Sequence, residues 1–111
     1  YKFKNLHLAG SALVGVASTV TSSATFNGNE SIVPVNPASG NITLTIDSDQ
    51  KVAGRILIIK RIDDQNNLYL ATEGSEQIQG GNSALANTFQ VDNNYTAVQL
   101  FCDGSNWYRI N

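Results

Sequence analysis

Apolar residues in this chain recur at every second position over short runs, without the three-to-four-residue spacing of an amphipathic helix. In NITLTI, Ile42, Leu44 and Ile46 alternate with Thr43 and Thr45, the period of a strand with one face on a core and the other in water. In YTAVQLFC, Val98, Leu100 and Cys102 share one face, and Tyr95, Ala97, Gln99 and Phe101 the other. The run GRILIIKRI differs, because Ile56 and Ile58 oppose Leu57 and Ile59 and only the ends, Arg55 and Arg61, are charged. An antiparallel strand usually keeps one wet face, so apolar residues on both sides predict a cover over the outer one, supplied by another subunit.

Turn residues punctuate these runs: Asn27-Gly28, Ser39-Gly40, Glu73-Gly74, Gly80-Gly81 and Asp103-Gly104 all tolerate positive φ. The stretch LFCDGSNWYRI reads as a hairpin whose three-residue loop, Asp103-Gly104-Ser105, places Gly104 in the left-handed region. Before residue 40 the pattern is weaker. SALVGVASTVTSSATF is rich in β-branched and small residues but mixed in phase, and Pro34 and Pro37 restrict IVPVNPASG to an edge or a loop. Short strands at close spacing with glycine turns predict one all-β domain over residues 1–111, an antiparallel β-sandwich of jelly-roll kind with about eight to ten strands.

Composition narrows the partners. The 111 residues carry 14% charged side chains and a formal charge of −2, so there is no basic footprint for nucleic acid. The sequence holds no apolar run of the roughly 18 residues a membrane span needs, and no basic amphipathic helix, so a soluble domain is expected. Cys102 is the single cysteine, which excludes an internal disulfide and suggests a small core hydrophobe. The first residue is Tyr1 and no signal-peptide pattern follows, the expectation for a piece of a longer protein.

From Asn41 onward the order of motifs carries a resemblance. A Thr-rich strand is followed by Gly54-Arg55 opening an apolar strand with a basic end, then an Asn-rich turn. Next come Gly74-Ser75-Glu76 with Ile78 and Gly80, and finally a strand leading to Asp103 through Tyr108 and a near-terminal Ile110. This succession resembles the small β-domains that end phage tail fibres and other virion fibre or spike proteins. The resemblance implies a virion-surface, extracellular location, a homotrimer, a shaft as neighbour and attachment to a host-surface receptor. The first third of the chain has no counterpart in that pattern.

His7 with Cys102 could in principle form a nucleophile pair, but the strand phase buries the thiol where a thiolate is poorly solvated. The carboxylate pairs Asp47/Asp49, Asp63/Asp64 and Glu73/Glu76 fall in turns, without the walls of a glycosidase cleft. Asp47 and Asp49 lack the glycine and distal glutamate of an EF-hand loop. Gly54, Gly74, Gly80 and Gly104 suit turns and bulges and have no phosphate-loop spacing. Trp107 reads as a buried anchor whose indole N–H finds a carbonyl, with sugar stacking as its other use. The N-x-S/T sequences at Asn29, Asn41 and Asn94 matter only on a eukaryotic secretory route. No enzyme, metal or cofactor is therefore expected.

The uncharged polar loops remain as the binding surface. DDQNN and TEGSEQIQGGNS contribute Asp63, Asp64, Asn66, Asn67, Glu73, Ser75, Glu76, Gln79 and Asn82 as receptor-contact candidates, suited to hydrogen-bonding a glycan. Two rival readings stand beside this one: a capsid-decoration or trimerisation cap that touches no receptor, and a secreted carbohydrate-binding module.

Overall fold

The computed structural model describes residues 14–80, 84–91 and 96–111, so His7, Asn82, Asn94 and Tyr95 lie outside the described residues. The described chain is all-β. Its strands are β1 (Ala24–Phe26), β2 (Ile32–Val35), β3 (Ile42–Ile46), β4 (Ile56–Arg61), β5 (Leu68–Thr72), β6 (Ile78–Gln79), β7 (Leu85–Ala86), β8 (Thr88–Val91), β9 (Ala97–Cys102) and β10 (Trp107–Arg109). One 3-10 turn, Ser48–Gln50, is the sole helical element among the described residues.

Two mixed sheets face a common core, an arrangement compatible with a β-sandwich. One sheet has the order β2-β4-β9-β10-β6-β7 and the other β1-β3-β5-β8. The expected antiparallel pairing is present between β4 and β9, β9 and β10, β5 and β8, and β6 and β7. The ladders β1-β3-β5 and β2-β4 are parallel, so the antiparallel jelly-roll order does not emerge. The cause lies in the connections. From β1 to β5 the chain changes sheet after every strand, so each strand returns to its own sheet one coil later and runs in the same direction. Among the described residues the stack begins with residues 14–20, through parallel bridges Val16↔Ile32 and Val20↔Val35. Periodicity reports which face of a strand is buried and is silent on the direction of its neighbour.

The predicted inner faces hold. Ile42, Leu44, Ile46, Leu57, Ile59, Val98, Leu100 and Cys102 are all buried in one cluster with Leu68, Leu70 and Trp107. Each such side chain contributes about 1.5–3 kcal/mol on leaving water. Pro34 lies in an edge strand and Pro37 in a turn, as expected: β2 ends its sheet, with Ser31 and Val35 carbonyls accepting from Ile58 and Ile62 of the β4 segment on one side and the Pro34 carbonyl accepting from Val20 on the other. The missing N–H therefore faces residues 14–20, where only isolated bridges form.

The terminal hairpin forms as predicted, with a longer loop. Cys102 pairs with Trp107, leaving Asp103 to Asn106 in the turn. Asp103 Oδ1 accepts the backbone N–H of Ser105 and of Asn106, both at 2.8 Å, and Gly104 takes φ +97°. Trp107 is fully buried, but its indole Nε1 has no hydrogen-bond partner among the described residues, a correction to the expected carbonyl contact. The ring acts through packing alone. Trp107→Ala should lower unfolding free energy by about 3–5 kcal/mol in urea titration, the loss that accompanies a deleted core aromatic.

Candidate functional site

Because the chain switches sheets between strands, its polar segments gather at two opposite ends of the strands. One end collects residues 21–23, 36–41 and 62–67, which lead from the six-stranded sheet into the four-stranded one. The other collects residues 27–31, 47–55, 73–77 and the turn 103–106. Side chains stitch successive coils at both. At the first, Ser23 Oγ accepts from Thr43 N at 2.9 Å, Asn41 Oδ1 from Asn67 N at 2.9 Å, and Asn66 Nδ2 donates to the Pro37 carbonyl at 2.7 Å. At the second, Gln50 Nε2 donates to Asn27 Oδ1 and to the Gly28 carbonyl, and Ser48 Oγ donates to Glu76 at 2.8 Å.

An arginine dominates each end. Arg61 continues the inward phase of Leu57 and Ile59 and is fully buried. Its guanidinium donates to the carbonyls of Asp63 (2.8 Å), Gln65 (3.0 Å) and Asn66, and so curls the β4–β5 turn around itself. Asn66 accordingly sits at φ +60°. Nη1 of Arg61 is buried with no partner among the described residues. Arg55 is more open and uses all five guanidinium donors, on Gln50 Oε1, Ser31 Oγ and the carbonyls of Ile56, Gly28 and Glu30. Burial lowers its pKa, with Glu30 acting in the opposite direction. Sequence reading treated both arginines as strand boundaries. The signal available was phase: Arg61 lies two residues beyond Ile59 and four beyond Leu57.

The predicted receptor residues do not converge. Asp63, Asp64, Asn66 and Asn67 lie at one end, and Glu73, Ser75 and Glu76 at the other, with β5 between them. Five extended residues separate the groups by about 16 Å. Asn66 and Asn67 are used in the coil stitching already described, and Asp63 Oδ1 caps its own turn by accepting Gln65 N at 2.8 Å. Glu76 is buried at 3% exposure. Gln79 lies on the outer face of β6 opposite Tyr108 and Leu85. Asp64 and Ser75 remain exposed.

The two outer sheet faces differ sharply. On the six-stranded sheet the registers align Val16, Ile32, Ile58 and Gln99 in one row, with Ile110 bonded beside Gln99. Ile56, Phe101, Tyr108, Gln79 and Leu85 form the next row, in which the Phe101 and Tyr108 rings stack at 5.4 Å. Val16, Ile56 and Ile110 are 60%, 45% and 52% exposed, so the described residues leave this face uncovered. On the four-stranded sheet the outer rows are Thr25, Thr45, Ala71, Thr88 and Thr43, Tyr69, Gln90. Apart from Ala71, every side chain in these rows carries a hydroxyl or an amide.

An open cleft of about 450 Å³ lies at the second end, between Gly28, Asn29, Asp49, Val52, Gly54 and Arg55. With every Arg55 donor engaged, it offers no free cation to hold an anion. Asp47 and Asp49 do not face each other as an acid–base pair, because Asp47 caps the 3-10 turn by accepting Asp49 N. Among the described residues no group of three or more His, Cys, Asp or Glu side chains is placed to hold a metal ion, and no helix is long and apolar enough to cross a membrane. Burial raises the Cys102 thiol, against a hydrogen bond from Gly104 N–H that lowers it. No protein-family model, curated protein or solved structure matches the chain.

Arg61→Met should cost about 3 kcal/mol or more by leaving three turn carbonyls unmet, and Arg61→Lys should recover little of it, because an ammonium cannot span the same fork. Parallel urea titrations of both variants check this. Burial alone would raise the Glu76 carboxyl, but hydrogen bonds from its own N–H, Ser48 Oγ and Gly74 N–H outweigh it and hold the group below its ordinary 4.5. A lowered folded pKa stabilises above the unfolded value and loses that contribution as pH falls. Stability should therefore drop below pH 4.5 in the native chain, and more shallowly in Glu76→Gln, in melts recorded across the acid range.

Proposed function

We propose that this chain is the terminal module of a virion fibre, spike or tail fibre, held as a homotrimer through the outer face of its six-stranded sheet. The contrast between the two outer faces carries this reading. A sheet face with Val16, Ile56 and Ile110 half exposed suits burial in an assembly, whereas one of Thr, Tyr and Gln suits water. Six strands at about 4.8 Å spacing and five residues of about 3.3 Å span roughly 29 by 17 Å in projection, a patch that accommodates much of one side of a standard interface.

Within that assembly the leading role is reversible attachment to a host-surface glycan. Its contact surface shifts from the loops to the face that stays outermost, where Thr25, Thr43, Thr45, Thr88 and Gln90 offer neutral donors and acceptors. Weak individual contacts become firm adhesion when many copies act together. A structural cap is the second reading, favoured by the separation of Asp63–Asn67 from Glu73–Glu76 at opposite ends of β5.

Light scattering at micromolar concentration should give about three chain masses, and Ile58→Asp should reduce this to one while leaving the far-ultraviolet circular dichroism unchanged. A native monomer removes the assembly reading. Excess soluble domain should block adsorption of the parent particle to host cells, and Thr43→Arg with Thr45→Arg should relieve the block. A trimer that neither labels cells nor competes leaves the structural cap.

A further inference from the structure

We infer that the end of the stack formed by residues 14–20 and β1 is a docking edge for one further parallel β-coil, a segment that lays a strand on each sheet at once. The inference is independent of the attachment reading and concerns a different surface. Residues 14–20 flank β2 in one sheet and β1 flanks β3 in the other, so both sheets present their outermost strand at the same end of the molecule.

The backbone at that end is half used. Gly15 O, Ala17 N, Val20 N and Val20 O all bond toward the β2 segment, and Phe26 O accepts Asp47 N beyond β3. Where the alternation is regular, the intervening residues Val16 and Thr25 turn their N–H and C=O groups away from the stack. Exposed edges are normally blunted by charge or proline. From Val14 to Asn29 the chain contains neither. The core also stops short here: Ala17 and Val20 are only partly buried against it. At the opposite end the parallel ladders stop, since β8 and β9 turn antiparallel onto β5 and β4, and Arg109 sits 5.8 Å over the Phe89 ring.

The occupant follows from the ladders it would continue. Both rows run parallel, residues 14–20 to β2 to β4 and β1 to β3 to β5, and they advance together because one coil feeds both. A lone extended peptide satisfies one sheet and leaves the other open. A second copy meeting this end head-on would pair antiparallel about a two-fold axis. A parallel coil with Val or Ile at alternate positions and a Ser- or Asn-rich sheet-switching turn satisfies both sheets and covers Ala17, Val20 and Phe26.

The test places a known coil on the edge while leaving residues 14–111 contiguous. The span from Val16 to its partner Ile32 is 32 − 16 = 16 residues, so a second copy of residues 14–29 is inserted between Leu13 and Val14 of the full chain. Amide hydrogen exchange should slow about tenfold or more at the native Val16 and Thr25, with a higher melting temperature. Unchanged exchange at those amides, in a chain whose Trp107 fluorescence still reports folding, overturns the inference. So does slow exchange in the unextended chain that grows with concentration as the mass doubles, which would make a second copy the occupant.

Discussion

The buried guanidinium of Arg61 fixes where the chain leaves one sheet for the other, and most of the architecture follows from that exit. A fully buried cation at the end of a strand is costly unless its donors are met, and the nearest acceptors are the carbonyls of the turn it initiates. Asp63, Gln65 and Asn66 therefore fold back over Arg61, which places Leu68 opposite Ile42 and starts β5 parallel to β3. Arg55 does the complementary task at the other end, tying the entry to β4 to the carbonyls of Gly28 and Glu30 in the preceding coil. Two side chains with planar, multi-donor heads thus set the lateral position of one coil on the next.

What could be read in the sequence was which side of each strand is buried. The alternation in Ile42–Ile46 and Ala97–Cys102 gave the inner faces, the two-sided apolar run gave both surfaces of β4, and Asp103-Gly104 gave the closing hairpin. Strand direction was not legible, because period two is the same for parallel and antiparallel neighbours and the sheet-switching connections resemble ordinary turns. The candidate site suffered from a second ambiguity. Asn, Gln, Ser and Asp in a loop look alike whether they await a ligand or bond the next coil, and here Asn66, Asn67, Gln50 and Ser48 do the latter. Only contacts across more than twenty residues distinguish the two uses.

This use of polar side chains also explains the composition. A domain with 14% charged residues and abundant Asn, Gln, Ser and Thr has the composition of a neutral surface, yet much of that polarity is used between coils. Neutral amides suit the task, since they donate and accept at once and bring no net charge into partly buried corners. The threonines have a different place. On the outer rows of the four-stranded sheet their branched side chains favour the extended backbone while their hydroxyls face solvent.

The pairing of β9 with β4 has a consequence for biosynthesis. Ile56–Arg61 leaves the ribosome well before its antiparallel neighbour Ala97–Cys102, and until the later strand arrives one side of the most apolar segment in the protein has no ladder. Earlier coils can stack as they emerge, since each needs only its predecessor, whereas closure must await the last fifteen residues. Vectorial synthesis therefore holds an adhesive β4 edge open for the interval in which residues 62–96 are added, the interval in which mispairing with a neighbouring nascent chain competes with completion.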